Sequence, residues 1–133
     1  MTMTIPANAP AAEAEAISLY EAIGGRAALT AAVDVFYRRV LADPELSWFF
    51  PGGVGERHRR YLVTFLGEAL GGPRRYRGPG IAGAHRGLGI CDTHFDRVAA
   101  HLGATLDELA VPRHLADCIV GIVAGLRSAV VTA

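Results

Sequence analysis

Two histidines stand in unlike settings that both invite chemistry. His85 lies inside GPGIAGAHRGLGI, residues 78–90, which holds five glycines and one proline and favours neither a regular helix nor a strand. Ordering such a segment costs conformational entropy, and a bound group offsets that cost by mass action. His58 lies instead on a predicted helix, in an apolar stripe with Tyr61, Leu62, Phe65, Leu66 and Ala69. An unpaired imidazole on such a stripe is costly, so it calls for a ligand or a hydrogen-bond partner. Aromatic side chains gather near both in sequence: Tyr37, Phe49, Phe50, Tyr61 and Phe65. They suit the lining of a pocket for something large, flat and apolar. The plainer alternative for each histidine is a surface residue or a satisfied core residue.

Zinc and haem are the two groups such residues could hold. Zinc asks for three or four ligands at recognisable spacing. His94 and His101 are seven residues apart, but there is no HExxH and the two cysteines do not form a pair in sequence. Haem asks for one strong axial ligand, a greasy slot and a controlled distal side, which suits these residues better. An imidazole on a loop approaches iron without a helix fixing its angle. Its second ring nitrogen then needs an acceptor, and a backbone carbonyl of the loop can serve.

The rest of the composition narrows the partners. A chain of 133 residues, 51% of them hydrophobic, predicts one domain with one core. A net charge of zero argues against nucleic acid and against a polybasic membrane anchor. All thirteen basic residues are arginine, which excludes Schiff-base chemistry on lysine. Cys91 and Cys118 are expected to be buried, reduced thiols. The opening MTMTIPANAPAAEAEAI has neither the basic nor the apolar region of a secretory signal. The longest apolar run, CIVGIVAGL, stops at Arg127, too short to span a bilayer. The expectation is a cytoplasmic protein.

Helices must position these groups. Residues 1–17 read as a mobile tail and 18–133 as the folded domain. Ser18, three residues before Glu21, is a capping-box pattern. Gly24 and Gly25 should break the chain before a helix at 26–42 whose inner face carries Leu29, Val33, Phe36, Tyr37, Val40 and Leu41. PELSWFF predicts a short helical turn packed down by Trp48, Phe49 and Phe50. A helix at 56–70 ends at LGGP. Asp92 is the expected cap of a helix at 93–109, with Phe95, Val98, Ala99, Leu102, Leu106 and Leu109 facing in. Pro112 opens a last helix at 112–131 with Leu115, Ile119, Ile122, Val123, Leu126 and Val130 inside. No alternating run is present, so the fold is predicted to be all-α.

SLYEAIGG, VDVFYRRVLADPELSWFF, FLGEALGGP, AHRGLGI and HFDRVAAHL, in that order, resemble the group I truncated haemoglobins over about residues 18–131. The resemblance implies a two-over-two helical globin around one haem b. It implies His85 as proximal iron ligand, Phe50 with Phe49 as haem-packing rings, and Tyr37 as the distal hydroxyl that donates to bound oxygen. Two further distal positions fall at His58 and Leu62, where many relatives hold glutamine. Leu62 cannot donate, so His58 becomes the substitute donor, or a direct distal iron ligand. Leu66 stands where some relatives carry a bulky aromatic that gates a ligand tunnel, and implies a more open apolar route. Arg57, Tyr61, Arg77 and Arg86 are candidate partners of the haem propionates. Phe65, Ile90 and Phe95 complete the cofactor-binding set.

The implied ligands are O2, NO and CO, and the implied chemistry is conversion of nitric oxide to nitrate, with Tyr37 and His58 as catalytic residues. That turnover needs an external reductase, because no GxGxxG follows a strand. An oxygen carrier, store or sensor without turnover is the alternative, as is a peroxidase-like enzyme using His58 as acid and base.

Overall fold

Ser18 caps the first helix, its hydroxyl accepting the Glu21 N–H at 3.1 Å, which is one half of the capping box its pattern predicts. The computed structural model describes residues 17–73, 85 and 87–131. Among them run α1 (Leu19–Ile23), α2 (Gly25–Leu41), α3 (Pro44–Ser47), α4 (Glu56–Ala69), α5 (Asp92–Glu108), α6 (Arg113–Ala124) and α7 (Arg127–Val130), with no strand. The tail expected at 1–17 lies outside the described residues except for Ile17. Of the glycine-rich segment 78–90, only His85 and 87–90 lie within them, and His85 has helical backbone rather than the irregular loop expected there.

Glycines set the corners. Gly24 (φ 116°) and Gly25 (φ 71°) take left-handed backbone between α1 and α2, which side chains disfavour. At the end of α4, a Cβ on Gly72 would stand 2.7 Å from the Tyr20 ring and 2.9 Å from the Gly67 carbonyl. Only glycine lets Tyr20 lie there, and the Tyr20 N–H donates to the Leu70 carbonyl at 3.0 Å. These contacts fasten α1 to the end of α4.

The long α2 packs on both α4 and α5, and α5 packs on α6. The result is a sandwich of two helix pairs. Leu29, Val33, Tyr37, Val63, Leu102 and Leu106 are buried at its centre.

Several expectations need correction. On α4 the buried residues are Val63 and Gly67. The predicted stripe of His58, Tyr61, Leu62, Phe65 and Leu66 lines a cavity instead, and Ala69 is exposed. Cys91, not Asp92, caps α5: its N–H donates to His94 Nδ1 at 3.2 Å. Asp92 pairs with Arg127 at 2.9 Å. Leu109 follows the last turn of α5 and is exposed. Thr105 is fully buried, which is tolerable because its hydroxyl donates to the His101 carbonyl at 2.8 Å. The final helix is broken at Gly125 into α6 and α7. Cys118 is exposed and Cys91 half-buried, so neither is the buried thiol expected.

The PELSWFF turn is held from the other side than predicted. Trp48 is 60% exposed, whereas Leu46 is 2% exposed and is the residue that pins α3. Leu46→Ala is therefore expected to lower stability by about 2–5 kcal/mol, read from urea unfolding. A loss within the ~0.5 kcal/mol scatter of surface changes would refute that role.

Asp43 caps α3, its carboxylate accepting the Glu45 N–H at 2.9 Å. The same buried carboxylate takes a two-pronged pair from Arg97 (2.8 and 2.9 Å) and a contact from His101 Nε2 at 2.7 Å. It thus clamps the α2–α3 corner onto α5. The Arg97 fork, then His101, hold the Asp43 carboxyl well below its ordinary 3.8, against the opposing effect of burial. A depressed carboxylate stabilises the fold above its ordinary value, and that contribution is lost as the pH falls below it. Asp43→Asn should accordingly flatten the fall of the urea midpoint below about pH 4, where the parent chain steepens. Equal slopes for the two chains would remove Asp43 from the acid response.

Candidate functional site

Between the helix pairs lies a cavity of about 760 Å³ with apolar walls. From α2 it receives Val33, Phe36, Tyr37 and Val40, and from the turn after α3 it receives Phe49 and Phe50. The α4 face contributes Arg57, His58, Tyr61, Leu62, Phe65 and Leu66. His85, Leu88 and Ile90 come from the glycine-rich segment, and His94 and Phe95 from α5. Every described site residue predicted from sequence therefore reaches this one space. Arg77 and Arg86 lie outside the described residues.

Sequence reasoning missed two features of the lining. His94 was weighed only as a zinc ligand, yet it faces the cavity with its ring edge-on to Phe49 at 5.0 Å. Leu88, three residues after His85, was read as mere loop. Among the described residues no group of three His, Cys, Asp or Glu side chains is placed to hold a metal ion.

Polar character in this lining is confined to a few groups. Tyr37 is almost fully buried, its ring held edge-on by Phe36 (5.3 Å), Phe50 (5.9 Å) and His58 (5.5 Å). Its hydroxyl makes no hydrogen bond to another described residue. Burial pushes that hydroxyl up to about 12, against the lowering pull of the Arg59 cation. Tyr37 thus stays a protonated donor at every physiological pH. His58 lines the cavity as an exposed residue, its ring edge-on to Phe50 as well. Apolar surroundings first, then the charges of His85 and Arg59, hold its imidazole below its ordinary 6.5, so it is neutral at pH 7. Arg57 donates from Nε to the Tyr61 hydroxyl at 2.9 Å and lies over the Tyr61 ring at 5.3 Å. That bond fixes a guanidinium at the cavity edge, where a carboxylate would be received.

An apolar cavity, an imidazole that enters it from the glycine-rich segment, and a hydroxyl and imidazoles as its few polar groups are what the pocket of a haem globin needs. Comparison with known proteins gives the same answer. The sequence pattern of the bacterial-like globin family matches residues 18–132. The group 1 truncated hemoglobin of Mycolicibacterium paratuberculosis is 42% identical over 120 residues, covering 90% of this chain and 88% of that one. That of Tetrahymena thermophila is 39% identical over 104 residues, covering 78% and 83%. In three dimensions the chain is similar to the truncated hemoglobin of Tetrahymena pyriformis (TM-score 0.82, 33% identity, 87% of this chain and 99% of that one). It is also similar to the 2/2 hemoglobin of Synechococcus sp. (TM-score 0.80, 38% identity, 85% and 97%). The chain belongs to the bacterial-like globins, as a group 1 truncated hemoglobin with the two-over-two fold.

Membership makes it a haem protein that binds diatomic ligands. The residues present fit that group: an apolar cavity of about 760 Å³, imidazoles at the wall, a buried hydroxyl and a braced guanidinium. No described helix is long and apolar enough to cross a membrane.

Proposed function

We propose that this globin, working in the cytoplasm, converts nitric oxide and oxygen to nitrate, with His85 as the proximal ligand of a b-type haem. Nitric oxide, oxygen and one electron balance to nitrate, and the electron comes from a separate reductase. The observation that carries this reading is the confinement of polar groups in an apolar cavity to three imidazoles, the Tyr37 hydroxyl and the Arg57–Tyr61 pair. Haem supplies the iron that binds the diatomic ligand and changes oxidation state.

The chain's own residues do the rest. His85 would hold the iron. The Tyr37 hydroxyl and the His58 ring, both at the cavity wall, would stabilise negative charge on a small polar guest. Phe49, Phe50, Leu62 and Phe65 keep water out and wedge the ring. Ile90 and Phe95 close the wall behind it. Arg57, braced by Tyr61, receives a propionate, and Arg77 and Arg86 are further candidates. Leu62 offers no hydrogen bond, so polar control on this side falls to Tyr37 and His58.

Two tests decide the reading. A Soret band growing in proportion to added haem is expected, and its absence ends the haem assignment. Reduced, haem-loaded protein in air-saturated buffer is then mixed with nitric oxide, and one nitrate per nitric oxide consumed is expected. Slow oxygen release with no nitrate formed would leave a carrier or sensor instead. A second arrangement in the resting protein is suggested by His58 lining the same cavity as His85. Two sharp visible bands in the reduced protein would make His58 the sixth ligand. One broad band would leave it a donor only.

A further inference from the structure

Trp48, the chain's single tryptophan, is 60% exposed yet lies flat on Phe49, with ring centroids 4.2 Å apart and planes 24° from parallel. Phe49 in turn lines the cavity. An unbroken aromatic stack therefore runs from the haem slot to the surface. The cavity tyrosines, Tyr37 and Tyr61, do not offer this. A guanidinium lies over each ring, Arg59 over Tyr37 at 5.6 Å and Arg57 over Tyr61 at 5.3 Å. A cation held over a ring opposes removal of an electron from it. Tyr37 also has no described group to accept the proton that its oxidation releases. At Trp48 the arrangement is reversed. No cation lies over its ring among the described residues, and its Nε1–H donates to the Glu45 carbonyl at 3.0 Å. The carbonyl dipole favours positive charge on the indole and retains the proton.

We infer that the Trp48–Phe49 stack is an electron port, through which haem-loaded protein treated with hydrogen peroxide oxidises phenolic donors too large to enter the cavity. The inference rests on the haem reading above. Hydrogen peroxide takes up two electrons and two protons and becomes two waters, its O–O bond broken. Each of two phenols gives up one electron and one proton and leaves as a phenoxyl radical. In each of the two transfers Trp48 loses one electron to the cavity side, becomes an indole radical cation, and regains one from the phenol at the surface. Its N–H bond is kept throughout.

The test uses the full chain with and without haem. In the absence of a donor, peroxide should add oxygen atoms to Trp48 in the haem-loaded protein and not in the haem-free chain, read by peptide mass spectrometry. Cys91 and Cys118 react with peroxide in both samples, so the haem-free chain is their control. With a phenol tethered to a long polyethylene glycol, Trp48→Phe should lose most of its oxidation rate while keeping that for a free small phenol. A full Soret band with unmodified Trp48, or an unchanged rate for the tethered phenol in the variant, overturns the port and leaves the haem reading intact. A chain that develops no Soret band overturns both.

Discussion

His85→Ala is expected to lose stoichiometric haem, with affinity weakened by more than about 100-fold. Removing even an outer partner of a metal ligand costs about 10–100-fold, and here the coordinate bond itself disappears. The fold should survive. His85 belongs to neither buried core cluster, and the helices pack through Leu29, Val33, Leu102 and Leu106. Circular dichroism of the haem-free variant should therefore match that of the haem-free parent while the Soret band is lost. His85→Gly separates a ligand from a packing residue, because free imidazole can enter the space and restore the band. Undiminished haem titration by His85→Ala would overturn the proximal assignment.

The second large effect is expected at Tyr37. Tyr37→Phe keeps the ring among Phe36, Phe50 and His58 and removes only the hydroxyl. A hydrogen bond to a guest carrying partial charge contributes about 1.5–3 kcal/mol. Oxygen release from the haem-loaded, reduced protein should accelerate roughly tenfold to a hundredfold if that contribution acts on the off-rate. The acceleration should hold across neutral and mildly alkaline pH, since burial keeps the parent hydroxyl protonated up to about 12. Combining it with His58→Leu tests whether the two donors act on the same guest. Rate effects that multiply independently would separate them, and a non-additive pair would join them. Release rates within twofold of the parent in Tyr37→Phe would leave the hydroxyl without a distal role.

Local rules made the helices legible. Ser18 with Glu21, the glycine pair at 24–25, Pro44 and the glycines after α4 each act on the few residues beside them, and each stands where the pattern set it. Periodicity also found the face of α4 that carries His58, Tyr61, Leu62 and Phe65. It could not tell an apolar face turned to a cavity from one turned to a helix, because both exclude polar side chains. That is why Val63 and Gly67 were overlooked as the packed residues. Asp43 before Pro44 carried the local signal of a helix cap, but none for its clamp on α5. Its partners Arg97 and His101 are 54 and 58 residues away, and only the fold brings them together. Trp48 misled for a related reason: large aromatic area favours burial on average, but Leu46 already fills the space beneath α3. Of the cavity lining, His85, and His58, Tyr61 and Phe65 on α4, were readable from residue type and spacing, whereas Arg57, Leu62 and Ile90 became site residues only through the family resemblance. His94 came through neither, because its place beside Phe49 depends on how α5 meets the turn after α3.

The break at Gly125 leaves α7 as one short turn, and its cap Leu126 and its last residue Val130 form part of the cavity wall. That turn is latched from outside by Arg127, which pairs with Asp92 at 2.9 Å and Asp96 at 2.6 Å and lies over the Phe95 ring at 4.6 Å. The latch is half in solvent, where dissolved ions weaken attraction between charges. Part of the pocket's tightness is thereby tied to ionic strength. Cofactor escape is therefore expected to quicken with salt, although no group inside the cavity changes its charge.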